Sequence, residues 1–159
     1  MADMAKVKEV RARTGVGFGD CKKALEQAGD DIEAAIDIIR KQSAVKAAKK
    51  ADRTASEGLL ELEVAANGKS AAIIEINIET DFAARNELFI EFCAEAVKQV
   101  LMEGEAVLPS LNDRKNDLVQ AIGENISIRR AARYEAASGL IGSYLHANNR
   151  LGALVELDQ

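Results

Sequence analysis

Hydrophobic residues recur with a helical period in the first third of the chain and with a two-residue period in several later stretches. Met4, Val7 and Val10 share one side of a predicted helix over residues 4–14, with Lys6, Lys8, Arg11 and Arg13 on the other. Gly15-Val16-Gly17-Phe18-Gly19 breaks that pattern. Asp20 then suits the cap of a second helix, whose inward stripe is Cys21, Ala24, Leu25 and Ala28, and Gly29 stops it. Asp30 or Asp31 caps a third, with Ile32, Ala35, Ile36 and Ile39 inward. Helix-forming residues continue through Lys50, and the stripe is lost over 51–56, where a linker is expected. Leu60, Leu62 and Val64 alternate with Glu61 and Glu63, and Asn67-Gly68 signals a two-residue hairpin into a returning strand over 71–78. A long helix ending near Glu103, a loop marked by Gly104 and Pro109, and a helix from Asn112 to Gly123 follow. A third strand runs over 126–135, and a final hairpin joins 140–146 to 151–157.

The pattern therefore predicts an α+β fold: a three-helix N-terminal module, then an antiparallel sheet with helices packed on one face. The expected domains are residues 1–54 for the module and its linker helix, 55–140 for the α+β core, and 141–159 for the start of a second core subdomain. A strand directly before Gln159 suggests truncation. Between the second strand and the long helix lies a polar corner, Glu79 to Asn86, with good N-cap residues at Thr80 and Asn86. A helix is expected to start at one of them, or at both in succession. The corner holds Phe82, one of four phenylalanines. Phe82 either folds into the core or projects as a plug for another protein. Pattern alone favours the core, because aromatic side chains mostly serve packing.

Composition narrows the function classes. Hydrophobic residues make up 48% of the chain and charged ones 30%, ordinary for a soluble globular protein. No apolar run reaches the roughly 18 residues of a membrane span, and the first residues lack an apolar signal core, so a cytoplasmic location is expected. The net charge of −5 argues against nucleic acid as the main partner. The glycine-rich loop lacks P-loop spacing and no strand precedes it. Lys46, Lys49 and Lys50 form a small basic patch that reads most simply as a solvated face. Cys21 and Cys93 read as buried free thiols. The single histidine, His146, has no identified nucleophile beside it, and no metal-ligand spacing exists. Catalytic chemistry is therefore not expected, and neither is a cofactor or a metal.

Several stretches resemble the elongation factor Ts family of bacteria. They are Arg13 to Leu25 (RTGVGFGDCKKAL), Asp31 to Ile36 with Lys46 to Lys50, Glu79 to Asn86 (ETDFAARN), Ile122 to Arg130 (IGENISIRR), and Gly142 to His146. They follow the family's order across nearly the whole chain. The resemblance implies a guanine-nucleotide exchange factor for the GTPase elongation factor Tu, acting in protein synthesis by binding. It also implies a ubiquitin-associated-like helical module joined to an α+β core. Carried over by motif, Thr80, Asp81, Phe82 and Ala83 would disturb the partner's Mg²⁺ site, with further contacts from Ile122, Gly123, His146 and Phe18. No direct nucleic-acid or membrane contact is implied.

Two positions depart from the family: Ala83 stands where Val is usual, and Phe18-Gly19 where two methionines are frequent. Plainer roles exist for each site residue. Ile122 and Gly123 suit a last core residue and a helix stop, His146 a solvated hairpin residue, and Asp81 a first-turn acid favoured by the helix dipole. Two other functions compete: a non-catalytic module using Phe18 and the Lys46–Lys50 patch to bind a peptide, protein or RNA, and a small enzyme around His146.

Overall fold

The computed structural model describes residues 2–158. Its elements in chain order are α1 (Met4–Thr14), α2 (Phe18–Gln27), α3 (Ile32–Lys50), β1 (Glu57–Val64), β2 (Ser70–Ile78), α4 (Asp81–Ala84), α5 (Glu87–Glu103), a 3₁₀ turn (Gly104–Val107), α6 (Leu108–Ile122), β3 (Ile126–Glu135), β4 (Leu140–Leu145) and β5 (Gly152–Leu157). They form the expected α+β fold. The chain divides into two compact units, residues 1–53 with 113–126, and residues 54–112 with 127–159.

The first unit is built on α1, α2 and α3. Asp3 caps α1 by accepting from the Ala5 N–H at 2.9 Å, and Asp31 caps α3 by accepting from Ala34 at 3.1 Å. Helix α2 starts earlier than its pattern suggested. Gly17 is its N-cap, so Phe18 opens the helix and Asp20 lies in the first turn, where a carboxylate favours the dipole. Val7, Val10, Val16, Cys21, Leu25 and Ile39 are fully buried between the three helices. The second half of α6 completes this unit. Ser43 Oγ donates to Gln120 Oε1 at 2.5 Å, and Gln120 Nε2 donates to Asp20 at 3.3 Å. Lys50 Nζ donates to the Gly123 carbonyl at 2.9 Å, and Asn125 Nδ2 to that of Arg53 at 2.8 Å. Pro109 sits in the first turn of α6, where its missing N–H costs no helical bond, so the helix begins before Asn112.

In the second unit β1 and β2 pair antiparallel from Glu57↔Ile78 to Val64↔Ala71, and β2 lies between β1 and β3. The hairpin connection runs over residues 65–69, longer than the two residues expected. The Ala65 N–H donates to Ser70 O at 2.9 Å, and that of Gly68 to Ala65 O at 2.8 Å. Ala72, Ile74, Ile76 and Ile78 are buried on one side of β2. Helix α5 packs there through Phe89, Phe92, Cys93, Ala96, Val97 and Val100.

β4 and β5 form a separate two-stranded sheet that repeats the β1–β2 hairpin at a constant offset. Gly58-Leu59-Leu60 recurs as Gly139-Leu140-Ile141, and Ala66-Asn67 as Ala147-Asn148. The turn bonds recur as well: His146 N–H donates to Leu151 O, and Asn149 N–H to His146 O, each at 2.8 Å. The Lys69 N–H bond to Asn67 Oδ1 has its counterpart in Arg150 N–H to Asn148 Oδ1, both at 2.9 Å. The hairpins also bond each other reciprocally. Leu60 N–H donates to Asn149 O at 2.7 Å, and its counterpart Ile141 N–H donates to Gly68 O, the counterpart of Asn149, at 2.8 Å. The two hairpins are thus related by an approximate two-fold.

Gly58 stands at φ 143°, and a Cβ there would run into the Ile76 carbonyl oxygen. A Cβ at its counterpart Gly139 would run into the matching carbonyl of Leu157. Gly58→Ala is expected to destabilise the protein by about 2–4 kcal/mol. Gly19→Ala, in α2 with open space around it, should stabilise by about 0.5–1 kcal/mol. Urea melts of the two variants against wild type check both signs.

Candidate functional site

The corner between β2 and α5 is built from two caps in series. Strand β2 ends on buried Ile78. Thr80 is extended at φ −123°, ψ 155°, and its Oγ1 accepts from the Ala83 N–H at 3.2 Å. This starts α4, closed by bonds from Ala84 to Thr80 O at 3.1 Å and from Asn86 to Ala83 O at 3.0 Å. Asn86 Oδ1 then accepts from Leu88 N–H at 2.8 Å and starts α5. Both expected helix starts are therefore used.

One turn of helix has one inner side. Ala83 and Ala84 occupy it and are buried, which leaves Asp81 and Phe82 on the outer side. Phe82 is 81% exposed, so the core position favoured by pattern alone is wrong. The reason is geometric. Residues 82 and 83 point about 100° apart on a helix, and the space under the turn admits a methyl group. Asp81 pairs with Arg85 at 3.4 Å along the exposed surface.

Beside the corner lies a cleft of about 400 Å³ whose lining includes Gly58, Asp81, Arg85, Asn148 and Arg150. Arg150 is also ion-paired with Glu57. The tip of the β4–β5 hairpin thus shares a cleft with the Thr80–Ala83 corner. His146 is exposed at that tip. Its Nδ1 accepts from Asn148 N–H at 3.4 Å, and the Tyr144 ring stands edge-on with centroids 6.3 Å apart.

The other expected contact residues belong to the first unit. Phe18 is 38% exposed at the start of α2. Ile122 is half-buried at the end of α6. Gly123 has φ 87°, and its N–H donates to Val119 O at 2.8 Å, the geometry of a helix stop.

Burial pushes the Cys21 thiol up, and burial followed by the charge of Glu61 pushes Cys93 up further. Neither is poised as a thiolate. The carboxyl of Glu61 is itself raised by burial and then by Glu63. Among the described residues no group of three His, Cys, Asp or Glu side chains is placed to hold a metal ion, and no helix is long and apolar enough to cross a membrane.

A family model described as Elongation factor TS matches residues 79–159, beginning at this corner. The chain belongs to the elongation factor Ts family. An elongation factor Ts of Teredinibacter turnerae is 47% identical over 156 residues, covering 95% of this chain and 53% of that protein. One from Saccharophagus degradans is 45% identical over 156 residues (95% and 54%), and one from Clostridium kluyveri 42% over 165 residues (96% and 54%). The chain spans about half the length of the curated relatives it matches. Sequence reasoning located the corner of this elongation factor Ts relative but missed the hairpin repeat. The recurring Ala-Asn turns and Gly-Leu openings were the signal that would have revealed it.

Thr80→Ala is expected to cost about 1 kcal/mol and to speed amide exchange at Ala83 selectively, read by hydrogen-exchange mass spectrometry. Both thiols should resist a disulfide reagent at neutral pH in the native protein and react fully in denaturant, read by absorbance.

Proposed function

We propose that this chain binds elongation factor Tu in the cytoplasm and promotes GDP release by disturbing the Mg²⁺ site of that GTPase during protein synthesis. The observation that carries the reading is the exposed phenyl ring of Phe82, held on a doubly capped turn at the start of the segment the family model matches. Membership of a family named for an elongation factor supports a role in translation.

Such a factor needs no bond chemistry. GDP and Mg²⁺ leave slowly because charge-assisted contacts to phosphate are strong. A protein that fits the empty GTPase better than the loaded one shifts that balance. By linkage, GDP then weakens the factor's binding as much as the factor weakens that of GDP. Fully burying a phenylalanine contributes about 1.5–3 kcal/mol. A 10⁴-fold faster release asks for about 5.5 kcal/mol, so Phe82 supplies part. The rest is assigned to Asp81, Ile122, Gly123, His146 and Phe18. Thr80 and Ala83 act by holding the ring in place, Thr80 through its cap and Ala83 through its inward methyl group. On this reading Ala83 in place of the usual Val gives up little, because the side chain faces the core.

The test is stopped-flow release of a fluorescent GDP from elongation factor Tu, with and without this chain. Phe82→Ala should reduce the acceleration roughly ten- to hundredfold. Folding stability should stay within about 0.5 kcal/mol, because the ring makes little contact at home. Binding without acceleration by the wild-type chain would replace this reading with that of a non-catalytic interaction module.

A further inference from the structure

The two junctions between the hairpins share a backbone bond and differ in one side-chain pair. Where the tip of β1–β2 meets β4, the Gly68 carbonyl accepts from the Ile141 N–H at 2.8 Å. Where the tip of β4–β5 meets β1, the Asn149 carbonyl accepts from the Leu60 N–H at 2.7 Å. Both tip residues are left-handed, Gly68 at φ 70° and Asn149 at φ 56°. Glycine takes that conformation more easily than asparagine, and Gly68 makes the backbone bond with no side chain at all. Asn149 adds a fork to it. Its Nδ2 donates to the Leu60 carbonyl at 3.2 Å and to Glu61 Oε1 at 3.0 Å, which uses both amide protons. Asn149, Leu60 and Glu61 are all half-buried. The acceptor is as particular to this junction as the donor, because the position in β4 that matches Glu61 is Gly142. Joining the two hairpins does not by itself call for such a pair.

The forked junction is distinguished by what its tip carries. The Asn149 N–H donates to the His146 carbonyl at 2.8 Å, and His146 Nδ1 accepts from the Asn148 N–H. Asn148 and Arg150, on either side of Asn149, line the cleft that also holds Asp81 and Arg85. We propose that Asn149 is a positioning residue, whose amide fork onto Leu60 and Glu61 fixes the tip so that His146 meets the GTPase together with the Thr80–Ala83 corner. The inference rests on the exchange reading above and adds to it a residue that acts through His146. Without the fork the tip leans on the Asn149 carbonyl bond and on the Arg150–Glu57 ion pair, whose arginine is more than half exposed. Exposed pairs of that kind contribute little. Ordering of the tip then falls to the encounter with the partner, and that lost freedom subtracts from affinity. The loss appears in binding and not in the opening of the nucleotide site, because Phe82 stands on caps of its own.

Asn149→Gly keeps the left-handed backbone and removes the fork. Asn149→Asp puts an acceptor where a donor is needed, directly against Glu61. Circular dichroism melts verify that both variants remain folded. In the free chain Asn149→Gly should speed amide exchange at Leu60 about tenfold, read by NMR. In stopped-flow release of a fluorescent GDP from elongation factor Tu, the same variant should raise the chain concentration for half-maximal acceleration about tenfold. The maximal rate should change less than about twofold. Asn149→Asp should raise the half-maximal concentration further. In a His146→Ala background the effect of Asn149→Gly should shrink to less than about twofold, because the two residues act as one. A turn preference alone makes Asn149→Gly equal to wild type, and that result overturns the proposal. An unchanged Leu60 amide overturns it too, as does an Asn149→Gly effect of the same size with and without the His146 ring. A wild-type chain that leaves GDP release unaltered overturns the exchange reading and this inference with it. A wild-type chain that accelerates release, matched by its Asn149 variants, overturns this inference alone.

Discussion

The packing of α5 on the β1–β2 face is the contact on which the second unit depends. It buries Phe89, Phe92 and Val97 against Ile74, Ile76 and Ile78, and each large apolar side chain removed from water contributes about 1.5–3 kcal/mol. Its consequence for the site is positional. With β2 fixed below and α5 fixed above, the chain from Thr80 to Asn86 must reverse direction in a few residues. It does so with one helical turn capped at each end. Ala83 and Ala84 face inward, and the phenyl ring of Phe82 faces outward. On the buried side of α5 the Cys93 thiol is sealed in the same contact, and burial and then the charge of Glu61 push it up.

Element types were largely legible in the sequence, because strongly periodic stretches announce themselves. β3 matches its expected range, and the alternation of β2 and the stripe of α5 each point to the correct buried side. The errors were local. Asp20 looks like a cap, but Gly17 takes that place and lets Phe18 into the helix. Asn67-Gly68 looks like a two-residue turn, but Gly68 closes a four-residue one. Pro109 looks like a loop residue, but it fits a first turn. Each is a case in which several backbone solutions suit the same residues and tertiary contacts choose among them. The direction of Phe82 was illegible for a different reason. Periodicity reports which face of an element is apolar, and a single turn is too short to have a period.

The repeat of the hairpin was legible but easily overlooked, because identical residues are sparse and fall in turns. What is preserved is backbone geometry: the two turn bonds, the Asn side chain that braces the tip, and the glycine whose missing Cβ lets a facing carbonyl approach. The strand side chains differ along one face, where Glu61 and Glu63 of β1 are matched by Gly142 and Tyr144 of β4. A backbone constraint persists where no other residue type satisfies it, whereas a surface follows whatever lies against it.

The double cap at the corner bears on how quickly the site can be used. A ring on a floppy loop must be ordered during each encounter, and that lost freedom subtracts from affinity and narrows the range of productive collisions. Here the ordering occurs once, when the chain folds. Thr80 and Asn86 hold the turn whether or not anything lies against it. Phe82 therefore meets any partner already in its working orientation, and the pace of association is left to diffusion and to the charges around the cleft.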